Sequence, residues 1–339
     1  MNGRQRIAAT LRGERPDRVP VMLHNFMPAA REAGLTMRAF RESPQAIAGC
    51  FVRAVETYGY DGVLVDVDTA TLAGALGVPV ELPEDEPALC RGARLTSLEQ
   101  VDALEPADVA CDARVQVWLE AVSILVARLG GEVHVRGNCD QAPFALASMV
   151  RGAADWMMEL MDQDNRERAE RLLEHCAEAA LQFVRLMAGA GAHMLSSGDS
   201  PAGPDLVSPA MYAAYAQPWE KRLADEAHRL GLPYALHICG RTDRILDGML
   251  ATGADALELD HKTDARLAHA RMQDRAVFIG NLDPSGVVAL GSPELVEAKA
   301  RELVALFADT PRFILNAGCA IPATAPGENI RAIVRAARG

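Results

Sequence analysis

Short apolar runs rich in β-branched and aliphatic residues alternate along the chain with longer amphipathic stretches. The runs are Arg18–His24, Asp61–Val67, Glu132–Arg136, Ala192–Ser197, Pro233–Ile238, Asp255–Asp260, Ala276–Gly280 and Arg312–Asn316. Their apolar character is nearly continuous, as expected of parallel strands covered on both faces. Between them the period changes to that of a helix. Pro44–Tyr58 follows Ser43, an N-cap residue with proline at the first helical position. Asn165–Ala190 carries Leu172, Leu173, Cys176, Ala179, Ala180, Phe183, Val184 and Met187 along one stripe. Further helices are expected from Ser208-Pro209 to about Leu230, from Ser292-Pro293 to near Ala308, and over Pro326–Ala337. Eight strands alternating with helices predict a (β/α)8 TIM barrel, with a doubly wound open sheet as the competing architecture.

One segment breaks the rhythm. The stretch 80–112 is acidic and contains proline, and is expected as an insertion, a hairpin or a cover, between the second and third units. No Gly/Ser linker or solenoid repeat interrupts the rest, so residues 1–339 read as a single barrel domain. Half of the 339 residues are apolar, enough for a large core, and only 5% are aromatic, so alanine and aliphatic side chains must fill it. A net charge of −12 without a basic stripe argues against nucleic acid. No run approaches the roughly 18 apolar residues of a membrane span. Seven cysteines, an odd number, and a polar N-terminus without a secretory signal predict a cytoplasmic protein whose thiols are free, metal-bound or catalytic. A homodimer is compatible with the chain.

In a barrel the strand C-termini share the face that carries chemistry. Here that face collects His24 and Asn25, Asp66 and Asp68, Asn138, Cys139 and Asp140, Asp199, His237 and Cys239, Asp260 and His261, Asn281 and Asp283, and Asn316 and Cys319. His237 and Cys239 are two apart and so point to one side of a strand. Cys319 lies in the loop Ala317–Pro322, where Gly318 gives it reach over the barrel mouth. Two thiols and one imidazole match a catalytic zinc that keeps its fourth position open. The bland alternative is that Cys239 and Cys319 are ordinary buried cysteines. Two thiolates and a neutral imidazole bring Zn²⁺ near zero net charge, which favours activation of a substrate thiol over hydrolysis. Asp199 is the candidate catalytic residue, placing the acceptor or serving the fourth metal position, with a loop carboxylate as the alternative. His24, Asp66, Asn138, Asp199 and Asn281 are candidate substrate-binding residues. For His24 and Asp66 internally satisfied roles weigh against that reading, and Asn281 with Asp283 also suits a turn.

The segments Leu236-His-Ile-Cys-Gly240, Gly280-Asn-Leu-Asp-Pro284 and Ile314-Leu-Asn-Ala-Gly-Cys-Ala-Ile-Pro322, followed by Pro326-Gly-Glu-Asn-Ile330, resemble the uroporphyrinogen decarboxylase superfamily. Within it they are similar to the methylcobalamin:coenzyme M methyltransferase branch, and Asp199, Ser208-Pro209 and Gln217-Pro218-Trp219 fit the same pattern. The resemblance implies a (β/α)8 barrel in which His237, Cys239 and Cys319 bind zinc. It also implies a small thiol that takes a methyl group from methyl-cobalamin on a separate corrinoid protein. The decarboxylases carry an arginine-rich N-terminal segment for the tetrapyrrole's acid arms; here the matching region, Pro20–Met27, has no arginine. Asn138-Cys-Asp-Gln-Ala-Pro-Phe144 departs from the family's Gly-Pro-Phe type of segment. The chain has no D-x-H-x-x-G corrinoid signature, so cobalamin must come from a partner or as free cofactor. The competing expectations are a decarboxylase of porphyrinogen-like substrates and a non-catalytic corrinoid- or metal-binding protein.

Overall fold

A computed structural model describes residues 1–339. Eight parallel strands run in chain order around a barrel: β1 (Met22–Leu23), β2 (Gly62–Val65), β3 (His134–Gln141), β4 (Met194–Gly198), β5 (Tyr234–Ile238), β6 (Ala256–Leu259), β7 (Val277–Leu282) and β8 (Phe313–Ala317). A parallel bridge from Val21 to Leu315 joins the first strand to the last. All eight expected runs become strands. Most shorten at their ends, where polar residues turn toward loops. β3 and β7 instead extend, through Gln141 and Leu282, and β3 shifts register against β4 between Asn138 and Gln141.

The helix at Pro44–Tyr58 forms as expected: the Ser43 hydroxyl accepts from the Ala46 amide, and Gly59, at φ 70°, ends it in the left-handed region. The helix expected from Ser208 to Leu230 is two helices, Pro209–Tyr215 and Gln217–Arg229. Pro218 has no N–H for the Ala214 carbonyl and its ring crowds that turn, so the chain breaks at Ala216. The acidic insertion is both hairpin and cover. Val80–Glu81 pairs antiparallel with Leu89–Cys90, and two short 3-10 turns follow at Leu98–Ala103 and Val109–Cys111. Arg41 anchors the hairpin by donating to the carbonyls of Pro83 and Glu86. No helix is long and apolar enough to cross a membrane.

The barrel interior has two tiers, set by the period-2 alternation of its strands. At the N-terminal end Met22, Met194, Ala235, Ala256, Val277, Ile279 and Ile314 pack into an apolar floor. Ile7 of the helix Gly3–Leu11 plugs it from below. Two residues further along, on the same face, the side chains become polar: His24 after Met22, His237 after Ala235, Glu258 after Ala256 and Asn316 after Ile314. Outside the barrel the strands' other faces pack on the helices, where Trp118 meets Phe183 edge-on at 5.5 Å. The floor excludes water from one end, so the polar tier opens only toward the strand C-termini.

Candidate metal centre and its cavity

His237 ends β5 opposite Glu258 in the parallel register. Its Nδ1 lies 2.9 Å from the Glu258 carbonyl oxygen. A carbonyl only accepts, so Nδ1 carries a proton and Nε2 is turned to the other side. Nε2 faces Cys239 Sγ at 3.0 Å. Cys239 Sγ lies 3.6 Å from Cys319 Sγ, eighty residues away in sequence. The three ligand atoms all lie within 4.8 Å of one another.

Cys319 reaches β5 because the loop after β8 crosses the end of β6. The Gly318 amide donates to the Leu282 carbonyl at 2.8 Å, and the residue presses so close to Asp260 and His261 that a Cβ would collide with the His261 backbone nitrogen. At the other end, Gly240 turns the chain at φ 84°, and its amide donates to Asp260 Oδ2 at 2.9 Å. Asp260 thus ties the β5 end to β6.

The electrostatics favour a thiolate. The hydrogen bond from Cys319 lowers the Cys239 pKa, burial opposes it, and His237 lowers it further, to about 4. The same interaction pushes the Cys319 thiol up. Burial alone would depress His237, but the Cys239 thiolate and the Glu258 groups lift its pKa to about 9. Without a metal the trio is therefore an imidazolium–thiolate pair with a thiol beside it. These donors fit zinc. Ligand atoms at zinc–sulfur and zinc–nitrogen distances of about 2.3 and 2.0–2.1 Å in a tetrahedron stand roughly 3.5–3.8 Å apart. The backbone carbonyl behind His237 is the usual partner that orients a ligating imidazole.

The trio forms one wall of a cavity of about 190 Å³ at the C-terminal mouth. His24, Asp66, Arg136, Asn138, Asp140 and Glu258 line the remainder, and Pro87 of the insertion reaches its rim. His24 Nε2 is 2.7 Å from Asp66 Oδ2. Arg136 and Glu258 cross the barrel interior to meet at 2.6 Å, with both side chains 2% exposed. Burial opposes ionisation of Glu258, yet Arg136, His237 and His24 together hold its pKa at about 2. Asn316 Nδ2 also donates to Glu258, at 2.9 Å. A larger cavity of about 520 Å³ opens at the opposite end of the barrel, around His134, His193 and His228, with no thiol in it.

Of the residues singled out in the sequence, His237, Cys239 and Cys319 come together, and His24, Asp66 and Asn138 share their cavity. Asp199 and Asn281 do not. Asp199 is fully buried behind the wall, where Oδ1 accepts from the Ala145 amide at 2.6 Å. Its Oδ2 and Glu220 Oε1 have no other partner and face one another, while Tyr212 donates to Glu220 Oε2 at 2.6 Å. Asn281 donates to the carbonyls of Asp260 and Thr263, a structural brace on the barrel's outer side. Asp68 is a turn cap that accepts from the amides of Ala70 and Thr71. Sequence reasoning passed over Arg136 and Glu258; the available signal was a charge of each sign inside otherwise apolar runs.

The barrel itself is a known architecture. Residues 2–339 match the family model described as Uroporphyrinogen decarboxylase (URO-D), and the chain belongs to that family. It is 28% identical to the Methylcobamide:CoM methyltransferase MtbA of Methanosarcina mazei, over 99% of this chain and 97% of that protein. It is also 28% identical to a Uroporphyrinogen decarboxylase of a Synechococcus species, over 96% of this chain and 94% of that protein. A solved methyltransferase structure from Methanosarcina mazei superposes with a TM-score of 0.91 at 24% identity, covering 100% of this chain and 98% of that one.

Proposed function

We propose that this protein is a zinc-dependent methyltransferase that moves a methyl group between a corrinoid, held by a separate protein, and a small thiol. The observation that carries this reading is the convergence of His237 Nε2, Cys239 Sγ and Cys319 Sγ on one point of a buried cavity. The similarity to Methylcobamide:CoM methyltransferases over nearly the whole chain supports it. Bound by these three residues, zinc supplies a fourth position at which a thiol ionises at neutral pH.

The chain's own residues do the rest. The Glu258 carbonyl fixes the His237 ring, and the Gly318 crossing holds Cys319 in place. His24 is held through Nε2 by Asp66, and its buried Nδ1 has no hydrogen-bond partner and lies 4.0 Å from Glu258 Oε1. It takes the thiol's proton, and the Glu258 carboxylate stabilises the imidazolium that results. With a methyl-corrinoid as donor, the thiolate would form the sulfur–carbon bond while the cobalt–carbon bond gave up the methyl group and kept its electron pair on the corrinoid. The apolar floor keeps bulk water from the thiolate from below.

A decarboxylase reading fits the cavity less well. Porphyrinogens carry many carboxylates, whereas Asp66, Asp140 and Glu258 face the space and Glu258 already neutralises Arg136, the sole arginine there. The test is demethylation of methylcobalamin followed by absorbance with a panel of thiols. Thiol-dependent turnover that disappears in Cys239→Ser and Cys319→Ser supports the proposal; turnover indifferent to both changes, or none with any thiol, rejects it.

A further inference from the structure

The cavity beside the metal centre contains buried polar atoms of both signs with nothing bonded to them. Arg136 spends Nη2 on Glu258, and its Nε and Nη1 have no partner. Asp66 gives Oδ2 to His24, and its Oδ1 has none. Asp140 accepts the Leu72 amide on Oδ2 at 2.7 Å, and its Oδ1 has none. All three side chains are at least nine-tenths buried and line the same space. Buried charged groups of native proteins are paired, so an occupant must complete them.

Asp140 is placed there against its backbone preference. It is the one non-glycine residue with positive φ, at 60°, and it sits where β3 shifts register against β4. Strain of this kind persists where a side chain must be aimed.

We infer that the occupant is a zwitterionic thiol of the amino-acid class, whose carboxylate meets the free edge of Arg136 and whose ammonium meets Asp66 and Asp140. This rests on the methyl-transfer reading for the thiol alone. A purely anionic thiol would satisfy Arg136 but bring negative charge beside Asp66 and Glu258, and beside Asp140, whose pKa burial and the neighbouring Asp68 already raise well above the ordinary carboxylate value. A purely cationic thiol would leave two guanidinium nitrogens, Nε and Nη1, buried and unpaired. Only an occupant with both groups completes the orphans on Arg136, Asp66 and Asp140 and leaves the charge balance unchanged. The size agrees: about 190 Å³ lies below the roughly 300 Å³ at which pockets for drug-sized ligands begin, which suits a small thiol.

Titration calorimetry on the full-length, zinc-loaded protein tests this with homocysteine (both charges), 3-mercaptopropionate and 2-mercaptoethanesulfonate (anion only), cysteamine (cation only) and 2-aminobutyrate (no sulfur). The inference predicts that homocysteine binds at least about tenfold more tightly than any singly charged thiol, the effect of one charged hydrogen-bond partner. Asp140→Asn should weaken homocysteine and cysteamine by a similar factor and leave 3-mercaptopropionate unchanged; Arg136→Lys should weaken the carboxylates and spare cysteamine. An anionic thiol that binds as tightly as homocysteine, or no binding by any compound, overturns it. If 2-aminobutyrate binds as tightly as homocysteine, the charge subsite stands and the methyl-transfer reading falls. If thiols bind regardless of their amino group, the methyl-transfer reading stands and this inference falls.

Discussion

Arg136 on β3 and Glu258 on β6 meet at 2.6 Å across the centre of the barrel, each side chain 2% exposed. The pair joins the apolar floor to the chemical tier above it. Removing one partner leaves a buried charge without compensation, which costs about 3–5 kcal/mol. Glu258→Gln and Arg136→Met should each lower unfolding free energy in urea by that order. The double change to Met and Leu should recover much of the loss, because a packed apolar pair replaces two desolvated charges.

The Cys239 pKa of about 4 makes a chemical prediction for the metal-free chain. Iodoacetamide should alkylate Cys239 at a rate nearly flat from neutral pH down to about 5, falling only as the thiolate is protonated near pH 4. Cys50 and Cys139, pushed up by burial to about 11 and about 12, should stay unmodified over that range. His237→Ala should move the Cys239 transition upward, because the imidazolium that helps hold the thiolate is gone. Peptide mapping after timed alkylation reads both effects.

Gly318 is needed for a close approach. A methyl group at this position would meet the His261 backbone nitrogen, so Gly318→Ala must lift the loop that carries Cys319. The barrel strands are untouched by that shift. Zinc affinity measured against a chromogenic chelator should fall by about 10–100-fold, the range for lost support of a metal ligand. The thermal midpoint should change little.

Asp199 was the sequence's candidate catalytic carboxylate, and the fold places it behind the cavity wall facing Glu220. Burial first, eased by the Ala145 amide and Glu220, raises its pKa to about 7. The folded state therefore holds a proton that the unfolded chain has released above about pH 4, so this pair's stabilising effect is greatest at or below pH 4 and is lost as pH rises through about 7. Asp199→Asn should flatten the pH dependence of stability between pH 4 and 7. The rate of methyl transfer at neutral pH should stay within about threefold of wild type, since ordinary substitutions away from a site act mainly on stability.

How much of this was readable in the sequence follows from what each residue's neighbours reveal. The eight strands were legible because doubly covered strands leave long apolar runs. His237 and Cys239 were legible as a pair because a strand repeats its face every two residues, and Cys319 because a thiol followed a glycine at another strand end. The two-tier interior was written in the same period, as Met22 then His24, Ala235 then His237, and Ala256 then Glu258. Its partners were not, since only the closed barrel shows that Arg136 faces Glu258 rather than solvent. Asp199 and Asn281 misled for the opposite reason. A polar residue at or just past a strand's end can turn outward as readily as inward, and local hydrogen bonds to Ala145, Asp260 and Thr263 decide the direction.

The central claim is that His237, Cys239 and Cys319 hold one zinc with a position open to a substrate thiol. Zinc-edge X-ray absorption on protein purified without chelators, before and after adding thiol, tests it most directly. The account predicts about one zinc per chain with two sulfur neighbours near 2.3 Å and one nitrogen, rising to three sulfurs when thiol is added, with the metal lost in Cys239→Ser. Protein without zinc, or a sulfur count unchanged by any thiol, would contradict it.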